Sequence, residues 1–346
     1  MASPTALTLT CVALFLLLAA SVVVAIGLGG AAVPPAETAR HLWAALTGGR
    51  VAADEVTTYQ IVWQIRTPRV LLAALVGAGL SAVGVAVQAM VRNALADPFV
   101  LGVSSGASVG AVGVTVTGGL AALGVYAVSA GAFAGALVAS FLVYAASSER
   151  GALSPLRLVL TGVAMSLGFQ AVMSVIIYFA PDGEATAMVL YWTMGSFGAA
   201  DWGALPVVAA VVLPSLVVLH RHGRALDVLA LGDEAATGLG VSPDRHRRNL
   251  LVLVSLVTGV MVAVSGAISF VGLVMPHLVR MVVGAAHARV LAVAPLAGAV
   301  FMVWVDLLSR TVVAPRELPL GVLTALVGVP VFIALMRRRN HVFGGR

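Results

Sequence analysis

Stretches without a single Asp, Glu, Arg or Lys recur from one end of this chain to the other: 2–36, 70–91, 98–148, 158–181, 202–219, 249–279, 290–305 and 318–336. Crossing the hydrocarbon core of a bilayer takes about 20 apolar residues of helix, and in lipid the backbone must satisfy its own hydrogen bonds, so each apolar stretch predicts a helix. Two stretches are too long for one crossing. The pattern breaks 98–148 near Gly118-Gly119, and it breaks 249–279 near Ser265-Gly266, where a second helix runs from about Ala267 past Arg280 to Gly284. The expected fold is all-α, a polytopic membrane protein with ten transmembrane helices in a single domain over 1–346.

Composition agrees with that pattern. With 60% hydrophobic and 10% charged residues and a mean hydropathy of +1.06, the chain carries more apolar surface than a water-soluble core can hide. All 20 basic residues are arginine. Without lysine there is neither a P-loop nor Schiff-base chemistry, so if ATP drives this protein, another chain binds it. The single cysteine, Cys11, excludes an intramolecular disulfide and a cysteine metal cluster. The apolar run Val12–Gly30 is longer than the roughly 7–15 residues of a signal core and follows no basic segment, so it reads as a retained helix.

Arginine placement sets the orientation, because arginines near span ends stay on the cytoplasmic side. With both termini inside, Arg40, Arg50, Arg66, Arg69, Arg310 and Arg316 fall outside, leaving fourteen of the 20 inside, Arg92, Arg150, Arg247, Arg339 and Arg346 among them. That bias accounts for the net charge of +6 without a nucleic-acid partner.

The polar interruptions carry the functional information. The longest inner one, Arg221–Arg248, predicts short helices under the membrane with Asp227 and Asp233 as caps and Gly232, Gly238 and Gly240 as ends; it is either an ordinary basic loop or a docking surface. Asn93, Asp97 and Pro98 break the chain at the inner face, and Gly102 with Gly106 forms a small-residue packing pair. Outside, Arg66-Thr67-Pro68-Arg69 opens the second helix, and Asp306–Pro319 joins the last two. Those arginines either snorkel to headgroups or receive an acidic partner. His277 reads as a hydrogen-bonding partner of a neighbouring helix, and Trp192, Trp202 and Trp304 as interfacial or packing residues. Mid-span positions hold no carboxylate, which disfavours an ion-coupled secondary transporter. No nucleophile with its base and no metal triad appears, so catalysis on this chain is not expected.

Together these segments resemble the iron-complex (FecCD-type) permease family of ABC importers, which includes ferric-siderophore, haem and cobalamin permeases. The resemblance runs from about residue 60 through Arg66-Thr67-Pro68-Arg69, Gly77-Ala78 with Gln88, RNALADPFVLGVSSGA at 92–107, SPLRLVLTGVA at 154–164 and TMGSF at 193–197. It continues through LGDEAATGLGV at 231–241, SGAISFVGLVMPHLVR at 265–280, and ELPLGVLTALVGVPVF at 317–332. It departs from the family pattern at Ala94, where proline is usual, and at Met275, where glycine is common. The resemblance implies the ABC importer permease fold of the cobalamin-permease type, in a bacterial inner or plasma membrane with both termini cytoplasmic. It implies as partners a second permease copy or paralogue, two ABC ATPase subunits and an extracytoplasmic solute-binding protein, with a ferric siderophore or related metal chelate, haem or cobalamin as cargo. No cofactor is expected on this chain, ATP and Mg belonging to the ATPase. Arg66, Arg69 and Arg310 would receive acidic residues of the binding protein. Asn93, Leu95, Ser154 and Pro155 would form the cytoplasmic gate. Leu231, Gly232, Asp233, Glu234, Ala235, Ala236, Leu239 and Gly240 would couple to the ATPase.

Overall fold

Three Ser-Pro pairs, 3–4, 154–155 and 242–243, each open a helix, since proline at the first helical position needs no N–H and already has a helical φ. At the first of them Ser3 Oγ accepts from the Ala6 N–H at 3.1 Å, while the other two serines make no such bond. The structure, a computed structural model, describes residues 3–30, 33–149, 152–180 and 183–338; Arg150, Arg339 and Arg346 of the expected inner set lie outside them.

Seven described helices are long and apolar enough to cross a membrane, and three shorter apolar ones bring the total to the expected ten. The chain begins with α1 (Pro4–Gly27), the short amphipathic α2 (Pro35–Thr47), and α3 (Val56–Gln60), which runs into α4 (Thr67–Met90). Then come α5 (Val103–Thr117), α6 (Ala127–Ser147), the two-residue strands β1 (Ser148–Glu149) and β2 (Ala152–Leu153), paired antiparallel, and α7 (Pro155–Tyr178). A short α8 (Gly183–Met194) precedes α9 (Ala204–Arg221), followed by α10 (Gly223–Ala230) and α11 (Asp233–Gly238), the small helices expected in the basic segment. The chain closes with α12 (Pro243–Ser265), α13 (Val271–Val283), α14 (His287–Thr311) and α15 (Leu320–Arg338). Both predicted breaks are present: Gly118 ends α5 with φ 64°, and Gly266 ends α12 with φ 66°.

The start of the second span differs from expectation. It does not open at Arg66 but enters from upstream through a π-helical stretch, Ile61–Arg66. Pro68 explains this, because inside a helix it removes a donor and crowds the carbonyl four residues back; the wider π register makes room. Thr67 Oγ1 then bonds the Val62 carbonyl at 2.6 Å.

Helix α4 is the buried axis of the bundle, packed on α9, α12, α13 and α14. Lipid offers helices no hydrophobic drive to associate, so small residues that admit close backbone contact do that work. A Cβ on Gly77 would stand 2.3 Å from the Gly298 carbonyl of α14, and one on Gly84 would stand 2.0 Å from the Gly272 carbonyl of α13. The predicted Gly102–Gly106 pair resolves differently. Gly106 and Gly110 of α5 meet Gly135 and Gly131 of α6, while Gly102 faces Gly162 of α7.

These contacts predict opposite outcomes for two glycines. Gly84→Val must displace backbone and should lower stability by about 1–3 kcal/mol or more, whereas Gly113→Ala, with nothing within 4 Å, should leave stability unchanged or slightly raised. Thermal unfolding of the detergent-solubilised variants measures both.

Candidate functional site

At the end of the bundle away from the basic segment, three arginines and two carboxylates from the π-helical stretch, α4, α14 and the segment before α15 converge. Asp306, fully buried, accepts from Arg69 Nε at 2.8 Å through Oδ1 and from Arg310 Nε at 3.2 Å through Oδ2. Glu317 meets the remaining fork of Arg69 with two bonds, at 2.7 and 3.0 Å, and its side chain is 30% exposed. The same arginines finish α1, whose last carbonyls lack intrahelical donors. Arg66 Nη1 donates to the Ile26 and Gly27 carbonyls at 3.1 and 2.9 Å, and Arg310 donates to Leu28 at 2.8 Å and also to Ala25. Cations suit this place because the carbonyl end of a helix carries partial negative charge.

This changes the picture of a free outward arginine set. Arg66, Arg69 and Arg310 are brought together as expected, but all three are buried and donate to groups of this chain. Burial forces that outcome, since a guanidinium taken out of water needs acceptors for its fork. Asp306 and Glu317, which fall in the polar segment expected to join the last two helices, are the members that hold the cluster together.

Between this cluster and the basic end lies an open cavity of about 730 Å³, lined by Phe99, Met194, Ala267, Ser269, Gly321 and Ala325 among others, with no charged side chain in its wall. Its position follows from interruptions in the helices. Helix α5 is preceded by the 3₁₀ turn Pro98–Leu101, and α13 by the non-helical segment 266–270. With 15 and 13 residues these helices are about 22 and 20 Å long, short of the roughly 30 Å core, so the irregular segments complete the crossings. Irregular backbone at that depth is tolerated only where protein buries it or a cavity opens beside it. Gly266, the first residue of the break, leaves no room for a side chain: a Cβ there would lie 2.1 Å from the Trp192 carbonyl near the end of α8.

At the basic end, Asn93 Oδ1 accepts from the Leu95 N–H at 2.9 Å and tightens the turn after α4. Ser154 and Pro155 stand at the start of α7, next to β2. The segment 231–240 turns two apolar side chains outward, Leu231 at 67% and Leu239 at 63% exposure, with Glu234 and Ala235 also exposed. Gly232 and Gly240 bracket it at positive φ, and Ala236 anchors it in the core. Asp233 does not cap its helix as expected; its carboxylate takes the fork of Arg247. Nor does Asp227 cap its own helix, since it lies within α10 and accepts from the His287 N–H at 2.9 Å and Nδ1 at 2.6 Å, so that it caps α14 instead. Arg247 holds the Asp233 carboxyl below its ordinary 3.8 by hydrogen bonding. The stabilising contribution is full above that ordinary value and is lost as pH falls through the lowered one, so the pair persists at neutral pH.

Comparison with known proteins places these features in a family context. The profile of the FecCD transport family matches residues 16–338. A hemin transport system permease of Yersinia pestis is 40% identical over 224 residues, covering 64% of this chain and 66% of that protein. A cobalamin import system permease of Halobacterium salinarum is 39% identical over 216 residues, covering 62% of this chain and 58% of that protein. The matched stretch thus spans less than two thirds of these curated relatives. A solved ABC transporter assigned to the metal-chelate type, in an inward-facing conformation, superposes with a TM-score of 0.82 at 31% identity, covering 95% of this chain and 98% of that one.

The cluster predicts unequal costs for its two carboxylates. Asp306→Asn leaves two buried guanidiniums short of their counter-charge and should destabilise by about 3–5 kcal/mol, while Glu317→Gln, at a partly solvated position, should cost about 1 kcal/mol or less. Unfolding temperatures of the two variants in one detergent test that order.

Proposed function

Because the chain belongs to the FecCD transport family, whose profile covers residues 16–338, we propose that it is the membrane-spanning permease subunit of an ATP-driven importer for a metal chelate. The observation that carries this reading is the uncharged cavity of about 730 Å³ set against breaks in the helices, a size that suits a ligand of several hundred daltons. A wall without fixed charge binds such cargo weakly and lets it leave again. Relatives named for hemin and cobalamin are equally similar, so identity favours the class of chelate and not one member; ferric siderophores, haem and cobalamin all belong to it.

The chain supplies the path, and ATP hydrolysis belongs to separate ATPase subunits. An ion-coupled mechanism fits less well. Asp306, the fully buried carboxylate, is held between two guanidiniums and offers no open ligand to a coupling ion. The basic end faces the cytoplasm, where the exposed Leu231 and Leu239 dock into the ATPase; closure of the ATPases shifts α11, and the path changes the side to which it opens. Helix α7 exposes Gln170 in its apolar length, which lipid disfavours, so this face meets the path or a second permease.

At the opposite end the arginine cluster receives the solute-binding protein through its one partly exposed carboxylate. Glu317 occupies the fork of Arg69 in the bidentate manner a partner's carboxylate would adopt, so docking exchanges one carboxylate for another.

Two measurements test the proposal. In vesicles containing this chain, its ATPase and its binding protein, uptake of a chelate should require ATP and stop with vanadate; uptake that ignores both and collapses with the proton gradient overturns it. For docking, Glu317→Gln should strengthen binding-protein affinity several-fold and Arg69→Gln should weaken it, by about 1 kcal/mol or more for a charged hydrogen bond. Unchanged affinity in both variants removes the docking assignment.

A further inference from the structure

Arg247 is 1% exposed, yet it sits in the first turns of α12, beside the most basic stretch of the chain. Its burial follows the helix period: Arg247, Leu250, Leu251, Val254, Val257, Thr258 and Met261 share the buried face of α12. The guanidinium joins three separate segments. Nε donates to the Met90 carbonyl at 3.3 Å, at the last residue of α4, and Nη1 donates to the Leu153 carbonyl at 3.1 Å, in β2. Nη1 also reaches Asp233 Oδ2 at 2.9 Å, and Nη2 takes Asp233 Oδ1, at the start of α11. One turn earlier on the same helix, Asp244 Oδ1 accepts from the Leu153 N–H at 2.9 Å, so both polar groups of that residue's backbone are held by α12.

We infer that Arg247 is the positioning residue that ties the ATPase-facing helix α11 to the two segments flanking the path at its basic end. Residues Asn93 and Leu95 lie in the turn three and five positions beyond Met90, and Ser154-Pro155 follows Leu153 directly. This inference rests on the reading of 231–240 as the ATPase contact. Its physical content is stiffness. A bidentate Arg–carboxylate pair fixes direction as well as distance, and a buried fork cannot give up one acceptor without leaving a donor unsatisfied. Displacement of Asp233 therefore carries the guanidinium, and with it the carbonyls at the ends of α4 and β2. Arg92 Nη1, 3.7 Å from Asp233, provides a looser second strut from the turn itself. Lysine cannot replace this arrangement, because a single ammonium cannot span a carboxylate and two carbonyls in a plane.

The test uses the assembled complex and needs no identified cargo. In a Cys11→Ser background, Ala94→Cys places one thiol in the turn after α4, and a membrane-impermeant maleimide reports its exposure with and without ATP plus vanadate. The otherwise native complex should change its labelling rate by about five-fold or more on trapping. In Arg247→Lys and Asp233→Asn that response should fall below about two-fold, and in Arg247→Lys, which lies outside the ATPase contact, ATP hydrolysis should stay within about three-fold of native, a split that stability alone would not produce. Asp233→Asn keeps both carbonyl bonds of Arg247 and so guards against a variant that fails to assemble. A full labelling response in both variants, or hydrolysis and response falling together in Arg247→Lys, overturns the inference. A native complex with no nucleotide response at all would instead count against the importer reading.

Discussion

Asp306 sits fully buried between Arg69 and Arg310, and the arrangement of that end of the molecule depends on it. Two guanidiniums in a medium without water need acceptors on every side. The carboxylate supplies the charge, and the end of α1 supplies carbonyls that lack intrahelical donors. One network therefore meets two needs, and it joins α1, α4, α14 and the entry to α15. Removing its central charge would leave both the arginines and the end of α1 poorly satisfied.

The same shortage of water governs the middle of the bundle. Where α4 crosses α13 and α14, glycines bring backbones into contact, and the chain there is regular helix. Where the chain departs from helix, at 98–102 and at 266–270, its polar backbone lies against other protein segments beside the cavity. Interruption and cavity are thus two sides of one arrangement: the break supplies shape without charge, which is what a path for bulky cargo needs. The π-helical turn ahead of Pro68 is a related adjustment, made where a proline enters a continuous span.

At the basic end another buried arginine repeats the logic with a different result. Arg247 has a carboxylate partner on a short surface helix and carbonyl partners at the ends of two core segments, so it links a surface that partners can push to backbone that borders the path. Each end of the molecule thus uses arginine forks to join neighbouring segments to the buried axis of α4.

Much of this was legible in the sequence. Charge-free runs placed ten helices and both breaks, because in lipid each run has to form its own hydrogen bonds. Arg66, Arg69 and Arg310 were visible as a set, and 231–240 as a surface segment, since charge and glycine stand out against an apolar chain. What the sequence could not supply was direction. Arg69 reads equally well as an outward cation or a buried one; only the return of α14 and α15 to α4, 237 and 248 residues along the chain, brings Asp306 and Glu317 to it. Arg247 looked like one more basic loop residue, though the spacing of apolar positions along α12 extends back to it and marks it as inward-facing. Local hydrogen-bonding needs, which lipid makes absolute, were written in composition and spacing. Which distant group satisfies each buried charge was decided by helix packing, because partners far apart in the chain meet only when the bundle closes.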